Sequence, residues 1–274
     1  MQWPAFAPPA EVSQLPVARH TFVGCAGWNV PKAQTDVSGT TRTHLQRYSA
    51  VIPAVEINSS FYRPHRRTTY ARWRASVPDG FRFSVKVPKI ITHEHRLQAA
   101  DDQAHLFLES VAGLEEKLGC LLVQLPPSLA FDRETVQNFL SALRDLTNVM
   151  VACEPRHASW FSPTADDLLK NYRVARVAAD PACVPAAARP GGSTDQIYYR
   201  LHGSPRVYYS NYDQDALSIV ARRIAEHADS GRDTWCIFDN TAVGAAFDNA
   251  RTILTQLSAI ESNSVNGETN GGDS

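Results

Sequence analysis

The sequence predicts a single-domain α/β fold, a TIM (β/α)8 barrel, from three observations. Eight short apolar runs alternate with amphipathic helical stretches between residues 21 and 260. Polar and charged residues collect where those runs end, not where they begin. The first run ends in Gly24-Cys25-Ala26-Gly27-Trp28, which lacks the GxGxxG spacing an open doubly wound sheet would carry there.

The runs lie at 21–25, 54–57, 81–87, 120–125, 149–153, 174–179, 197–201 and 234–238. Continuous apolar runs of this length fit strands buried on both faces. Helical periodicity predicts helices over 42–48, 68–75, 102–118, 133–143, 163–171, 217–228 and 246–260. In the third of these, Leu106, Phe107, Val111, Leu114 and Leu118 are expected on one apolar side. Pro126 and Pro127 stop the fourth strand, and Pro163 suits the first turn of a helix. Residues 29–41 read as a polar loop and 181–194 as a loop rich in Pro, Gly and Ala. Residues 1–20, rich in Pro and Ala, read as an irregular arm. Residues 261–274, rich in Ser, Asn and Gly without apolar periodicity, are expected to be disordered. The barrel domain is therefore 21–260.

The chain has 274 residues, 43% of them hydrophobic, enough for one large core. A net charge of −1 excludes a global basic field and leaves only a local basic patch open. No run approaches the ~20 apolar residues of a membrane span. The start, MQWPAFAPPAEV, lacks the charged head and apolar centre of a signal peptide. Five scattered cysteines form no CxxC pair and read as small buried hydrophobes of a reducing compartment. These features predict a cytoplasmic protein with no membrane partner.

The densest chemistry follows the fifth run. Val149-Met-Val-Ala-Cys153 is apolar, and Glu154, Arg156, His157, Trp160 and Phe161 arrive at once. A carboxylate ending a buried strand needs a charged or hydrogen-bonding partner. The other ends repeat the pattern: Cys25 and Trp28; Glu56, Asn58, Phe61 and Tyr62; Lys86, with Thr92 and His93 beyond; Gln124; Asp180; Arg200, His202, Tyr209 and Tyr212; Asp239 and Asn240. In a barrel these ends form one rim, where ligands bind. Glu56 and Glu154 suit an acid–base pair, with His202 as a further catalytic residue. They equally suit buried carboxylates paired with Lys86 or Arg200. A divalent metal held by them with His93, His202 or Asp239 is a third reading, but no two such ligands stand at i, i+4 spacing. Lys86, Arg156 and Arg200 favour an anion, and the aromatic residues could stack a base or a sugar or equally plug the barrel mouth as ordinary packing. Cys25 with His202 as its base is a weak nucleophile candidate, because cysteines at strand ends are more often buried and inert. There is no nucleophile elbow, P-loop or HExxH.

Seven blocks occur in order: Gly24-Cys-Ala-Gly-Trp28; Val55-Glu-Ile-Asn-Ser-Ser-Phe-Tyr-Arg63; Phe83-Ser-Val-Lys-Val-Pro-Lys89 with Ile91-Thr-His93; Val123-Gln-Leu-Pro-Pro-Ser128; Glu154-Pro-Arg-His-Ala-Ser-Trp160; Tyr199-Arg-Leu-His-Gly203; and Phe238-Asp-Asn-Thr241 with Asp248-Asn-Ala250. Together they resemble the DUF72 family, also called YecE-like, over residues 21 to 258. The resemblance implies a TIM barrel of unestablished activity. Its outline is similar to endonuclease IV and xylose isomerase, which act on phosphodiester or sugar substrates with metals, a likeness of fold alone. Two positions depart from the family pattern: Pro155 stands between Glu154 and Arg156, and Asp239 precedes Asn240 where a paired Asn-Asn is usual.

The reading that results is a rim pocket for an anionic ligand, either a phosphorylated sugar, a nucleotide or a nucleic-acid segment, with hydrolase or lyase chemistry. Glu56, Glu154 and His202 are its catalytic candidates. Trp28, Asn58, Tyr62, Lys86, His93, Gln124, Arg156, Trp160, Arg200, Tyr212 and Asn240 are its ligand-binding candidates. No cofactor is assigned, and a divalent metal stays open. The alternative is a non-catalytic nucleic-acid-binding module that uses the basic and aromatic rim.

Overall fold

Among the described residues, ten strands form one sheet: β1 (Thr21–Ala26), β2 (Ala54–Ile57), β3 (Arg82–Lys86), β4 (Leu118–Gln124), β5 (Met150–Glu154), β6 (Val174–Arg176), β7 (Ala178–Asp180), β8 (Gly191–Gly192), β9 (Gln196–Leu201) and β10 (Asp233–Phe238). The computed structural model describes residues 21–30 and 42–269. The expected arm at 1–20, most of the loop at 29–41 and the last five residues of the chain lie outside the described residues. Neighbours follow the order β7-β9-β10-β1-β2-β3-β4-β5-β6-β8. Every pair is parallel except β6 with the two-residue β8.

The two ends of that order meet in one extended segment. The sixth apolar run splits at Val177: β6 pairs with β5, and β7 pairs with β9. Val177 N–H still bonds Cys153 O at 2.9 Å before the chain changes partner. Each half of the split run pairs with one neighbour, and the sheet is a nearly closed barrel.

Period-two alternation sorts each strand into an inward and an outward row. The outward row packs under the helices in a large cluster that includes Val55, Phe83, Val85, Leu121 and Phe238. The inward row begins apolar, with Ala54, Cys120, Leu122, Met150, Ala152, Tyr198, Trp235 and Ile237 packed together. Trp235 plugs the floor, stacked on Tyr198 and Phe22. Gly119, the extra residue where β3 and β4 slip register, leaves it room: a Cβ there would lie 2.5 Å from the Trp235 ring. Two residues further along each strand the same inward row turns polar, at Glu56, Lys86, Gln124, Glu154, Arg200 and Asp239. The floor is apolar and the mouth is charged.

Helices α1 (His44–Ser49), α2 (Ser59–Tyr62), α3 (Arg67–Ala75), α4 (Asp101–Val111), α5 (Arg133–Leu146), α6 (Pro163–Asn171), α7 (Gln214–Asp229) and α8 (Ala245–Thr269) join and cover the strands. Their starts are chemically marked. Thr43 and Gln46 form a capping box, and Asp132, Ser162 and Asp213 each accept a first-turn N–H. Each such cap contributes about 1 kcal/mol. After β7 the loop over 181–195 holds only a 3-10 turn, Pro185–Ala188, and β8. Among the described residues no helix is long and apolar enough to cross a membrane.

Two expectations change. The helix expected over 102–118 ends at Val111 and becomes a 3-10 turn, Ala112–Lys117, in which Glu115 has a φ of 48°. Gly113 is pressed so close to α3 that a Cβ would lie 2.4 Å from Arg67 O. Phe107, Val111 and Leu114 face the core, but Leu106 is exposed, since adjacent helical residues point about 100° apart. Leu118 opens β4 instead. At the other end, α8 continues through residues 261–269, where disorder was expected. Extending a formed helix fixes one residue per hydrogen bond and needs no new nucleus.

One tyrosine ties the barrel to its first helix. The Tyr48 hydroxyl accepts from Cys25 N–H and donates to Ala54 O, both at 2.8 Å, bridging β1 and β2. Tyr48→Phe strands a buried N–H, so we expect a loss of about 1–2 kcal/mol in urea unfolding. An unchanged midpoint would show that the bridge contributes nothing.

Candidate functional site

Arg200 is the centre of the mouth. It lies on the inward row of β9 between Tyr198 and His202, and all three are buried. Its guanidinium meets three carboxylates. Nε and Nη2 grip Glu56 at 3.0 and 2.7 Å, Nη1 reaches Glu154 Oε2 at 3.2 Å, and Nη2 reaches Asp239 Oδ2 at 3.0 Å. Five fixed donors in a plane can serve three acceptors; a lysine could not hold this geometry. Burial opposes the charge of Arg200, but Glu56, Asp239 and Glu154 outweigh it and raise its pKa well above the ordinary range.

Glu56 lies deepest. Tyr198 donates to its Oε2 at 2.8 Å and also meets Ser84 Oγ at 2.9 Å. Burial, then the Glu56 charge, keep the Tyr198 phenol protonated far above its usual range. Glu56 is thus walled in by Arg200 and Tyr198 beneath the accessible rim.

One layer higher, His202 stands between two acids. Its Nε2 lies 2.9 Å from Glu154 Oε1, and its Nδ1 lies 3.0 Å from Asp239 Oδ2. Arg156 Nη2 touches both Glu154 Oε1, at 2.6 Å, and His202 Nε2, at 2.9 Å. An imidazolium would donate to both acids; a neutral ring would accept from Arg156 and donate to Asp239. Either protonation state has partners, which a proton carrier requires. Burial pushes the Glu154 carboxyl up, but Arg200, His202 and Arg156 together hold it well below the usual carboxylate range. Asp239 is likewise raised by burial and lowered further by Arg200, His202 and Lys86, with a net fall.

Lys86 completes the layer from β3 and is 8% exposed. Its ammonium sits 4.2 Å above the Phe61 ring and makes no hydrogen bond or ion pair with any described residue. Burial, then the Arg200 charge, lower its pKa to about 8 against the pull of Glu56, Glu154 and Asp239. Arg156 is also incompletely used: its Nε is buried without a partner, as is Asn58 Oδ1. His93, on the π-helical turn Ile90–Glu94, packs edge-on to Phe61 and accepts from or donates to Thr92. Burial, Lys86 and Lys89 push its pKa down.

The structure therefore brings together Glu56, Lys86, His93, Glu154, Arg156, Arg200 and His202, with Asn58 and Gln124 at adjoining strand ends. It leaves four other candidates away from this network. Trp160 is core, donating to Leu129 O and packed on Phe131. The Tyr212 hydroxyl donates to Asp180 Oδ2 and accepts from Gly203 N–H. Asn240 is buried and bonds Ser210 O and Asn249. Trp28 packs against Trp73. Tyr62 stands at the rim, 73% exposed. Cys25 is a buried thiol that burial pushes up to about 12, far from a thiolate. Among the described residues no three His, Cys, Asp or Glu side chains are arranged to hold a metal ion.

Sequence reasoning missed Tyr198, Ser84 and Tyr208. Alternation could have found the first two, which stand two residues before Arg200 and Lys86 on the same inward rows. Tyr208 had no such signal: it lies in a loop at φ 69°, donates its N–H to His202 O and sets its ring edge-on to His202. A separate cleft of about 410 Å³ lies outside the barrel against α7, lined by Ala178, Tyr199, Ala216 and Ile219 among others. It is apart from the charged mouth.

Residues 22–270 match the family described as a protein of unknown function, DUF72. The chain belongs to the DUF72 family. The UPF0759 protein YunF of Bacillus subtilis (strain 168) is 24% identical over 268 residues, covering 86% of this chain and 94% of the relative. The UPF0759 protein YecE of Escherichia coli (strain K12) is 29% identical over 153 residues, covering 55% and 53%. A DUF72 crystal structure from Thermotoga maritima MSB8 superposes with a TM-score of 0.70 at 24% identity, covering 86% and 98%. One from Enterococcus faecalis V583 gives 0.71 at 22%, covering 86% and 95%. At these identities the two DUF72 structures share the fold, and the chemistry must be read from the mouth itself.

Proposed function

We propose that the barrel mouth binds a small anionic ligand, phosphate- or carboxylate-bearing, and acts on it as a hydrolase or lyase. One observation carries this reading: the unfilled hydrogen-bonding capacity at the mouth is mostly cationic. All three carboxylates are met by arginine, while among the described residues the Lys86 ammonium makes no hydrogen bond or ion pair and Arg156 Nε is buried without a partner. A buried cation with free donors is stabilised by an anion, and guanidinium suits phosphate or carboxylate. His202 would move the proton, with Glu154 and Asp239 fixing its ring, while Glu56 supports Arg200 from below. The free, mostly buried cysteines fit a cytoplasmic setting.

Calorimetric titration with inorganic phosphate and a panel of sugar phosphates tests the binding. Arg156→Gln should weaken the bound anion by about 1.5–3 kcal/mol, roughly tenfold to a hundredfold in Kd. Equal affinity in the variant would refute the site.

A second reading, a non-catalytic nucleic-acid module, has its own observation. Residues 57–78 contain five arginines and no Asp or Glu. Arg63, Arg66, Arg67 and Arg72 are exposed, as is Tyr62. Oligonucleotide affinity that falls steeply with salt, without product, would favour it.

A further inference from the structure

We propose that Lys86 is a covalent site: its side-chain amine condenses with the carbonyl of an anionic aldehyde or 2-oxo acid at the barrel mouth to form an imine. This rests on the anion site above and names the class of its ligand.

The other buried lysine shows what a structural role looks like. Lys117 is as buried as Lys86, yet its ammonium donates to Arg74 O at 3.1 Å and Val77 O at 2.9 Å. Exposed Lys89 pairs with Glu94. Among the described residues Lys86 has neither kind of partner: its ammonium lies over the Phe61 ring, with Arg200, Glu56, Glu154 and Asp239 near enough to act on its charge. An ammonium largely withdrawn from water is disfavoured, and the neutral amine is the nucleophile. Arg200 adds like-charge repulsion, while the nearby carboxylates are already engaged by arginine. Arg156 stands across the mouth to hold the anionic end of a ligand. His93, which packs on the same Phe61 ring, and His202, which lies against Arg200, would be the proton carriers.

The step balances without a cofactor. The amine lone pair attacks the carbonyl carbon, forming the C–N bond, and the π pair moves to oxygen. One proton passes from nitrogen to that oxygen, giving a carbinolamine. A histidine delivers a second proton to the hydroxyl, the C–O bond breaks, and water leaves as the nitrogen pair forms C=N. Nitrogen keeps its remaining proton. One amine, one carbonyl and one proton become an iminium and one water.

The chain has five lysines, at 32, 86, 89, 117 and 170, so the adduct is easily located. The full chain would be incubated at neutral pH with pyruvate, or with pyridoxal 5′-phosphate, reduced with borohydride, and mapped by peptide mass. Labelling at Lys86 should exceed that at any other lysine by at least roughly tenfold, because a lower pKa leaves more neutral amine. It should vanish in Lys86→Met, with folding verified by circular dichroism. Adducts spread over exposed lysines, or an adduct total unchanged in Lys86→Met, would overturn the proposal. The same samples would be titrated with inorganic phosphate. Phosphate binding that depends on Arg156, without labelling at Lys86, removes the imine and leaves the anion site standing. Labelling at Lys86 that phosphate neither slows nor competes with upholds the imine and removes the anion site.

Discussion

Arg200→Met is expected to destabilise the protein by about 3–5 kcal/mol, a large share of the stability of an ordinary domain. The guanidinium is the shared partner of Glu56, Glu154 and Asp239, all nearly or fully buried. Methionine fills similar space but leaves three carboxylates in a low-dielectric mouth with only Arg156, His202 and Lys86 to offset them. The loss should also change how stability depends on pH. In the wild type, Glu154 and Asp239 titrate below their unfolded values. Their contribution is present above about pH 4 and is lost as pH falls through the folded values. In the variant the stranded carboxyls would titrate above their unfolded values, so acidification from pH 8 to 5 should recover stability. Urea unfolding at both pH values reads this directly. A variant within 1 kcal/mol of the wild type, or one with no recovery at pH 5, would show that the network is not organised around Arg200.

The same coupling decides how a Glu154 substitution must be read. Alanine there removes a partner shared by Arg200, Arg156 and His202, so activity and fold would fall together. Glutamine keeps the shape and one acceptor, and separates the two effects better. Of the two sequence readings of Glu56, an acid–base group or a buried carboxylate paired with Lys86 or Arg200, the geometry matches the pairing with Arg200, to which Tyr198 adds a hydrogen bond.

The barrel was legible because its signals are local. Eight apolar runs, their spacing and their polar ends are all properties of short windows, and the strands fall within one or two residues of expectation. Which rim residues converge is less local. Period two, applied to β9 from Arg200, places Tyr198 and His202 on the same inward row. Distance along the chain does not reveal that Trp160 turns into the core to donate to Leu129 O, or that Tyr212 folds back on Asp180. Loop conformation decides both, and loop conformation follows from what the rest of the fold offers. Tyr208 is the sharper case, since its place beside His202 depends on a left-handed backbone that no pattern in the sequence announces. The split of the sixth strand at Val177 is of the same kind. It answers to closure of the whole ring, while Val174–Asp180 reads locally as one unbroken run.

Lys86→Met should stabilise the protein, the opposite of the usual outcome for a buried residue. Burial and Arg200 bring the amine from 10.5 to about 8. In the unfolded chain it regains its ordinary value, so between those two pH values the unfolded state holds more protons. The wild type therefore gains stability as pH rises from about 8 to above 10, and at neutral pH carries the full cost of holding a largely buried ammonium beside Arg200. That difference corresponds to about 3 kcal/mol. Losing the contact with Phe61 returns about 0.5–2 kcal/mol, partly restored by a methionine–aromatic contact. A net gain of about 1–3 kcal/mol at pH 7 follows, shrinking towards zero above pH 10. Urea unfolding at pH 7 and pH 10 would measure both quantities. Destabilisation at pH 7 would mean that the ammonium has a partner after all and is structural. Stabilisation would mark Lys86 as a residue kept at a cost to the fold, and binding or chemistry at the mouth is the reason such a cost is borne.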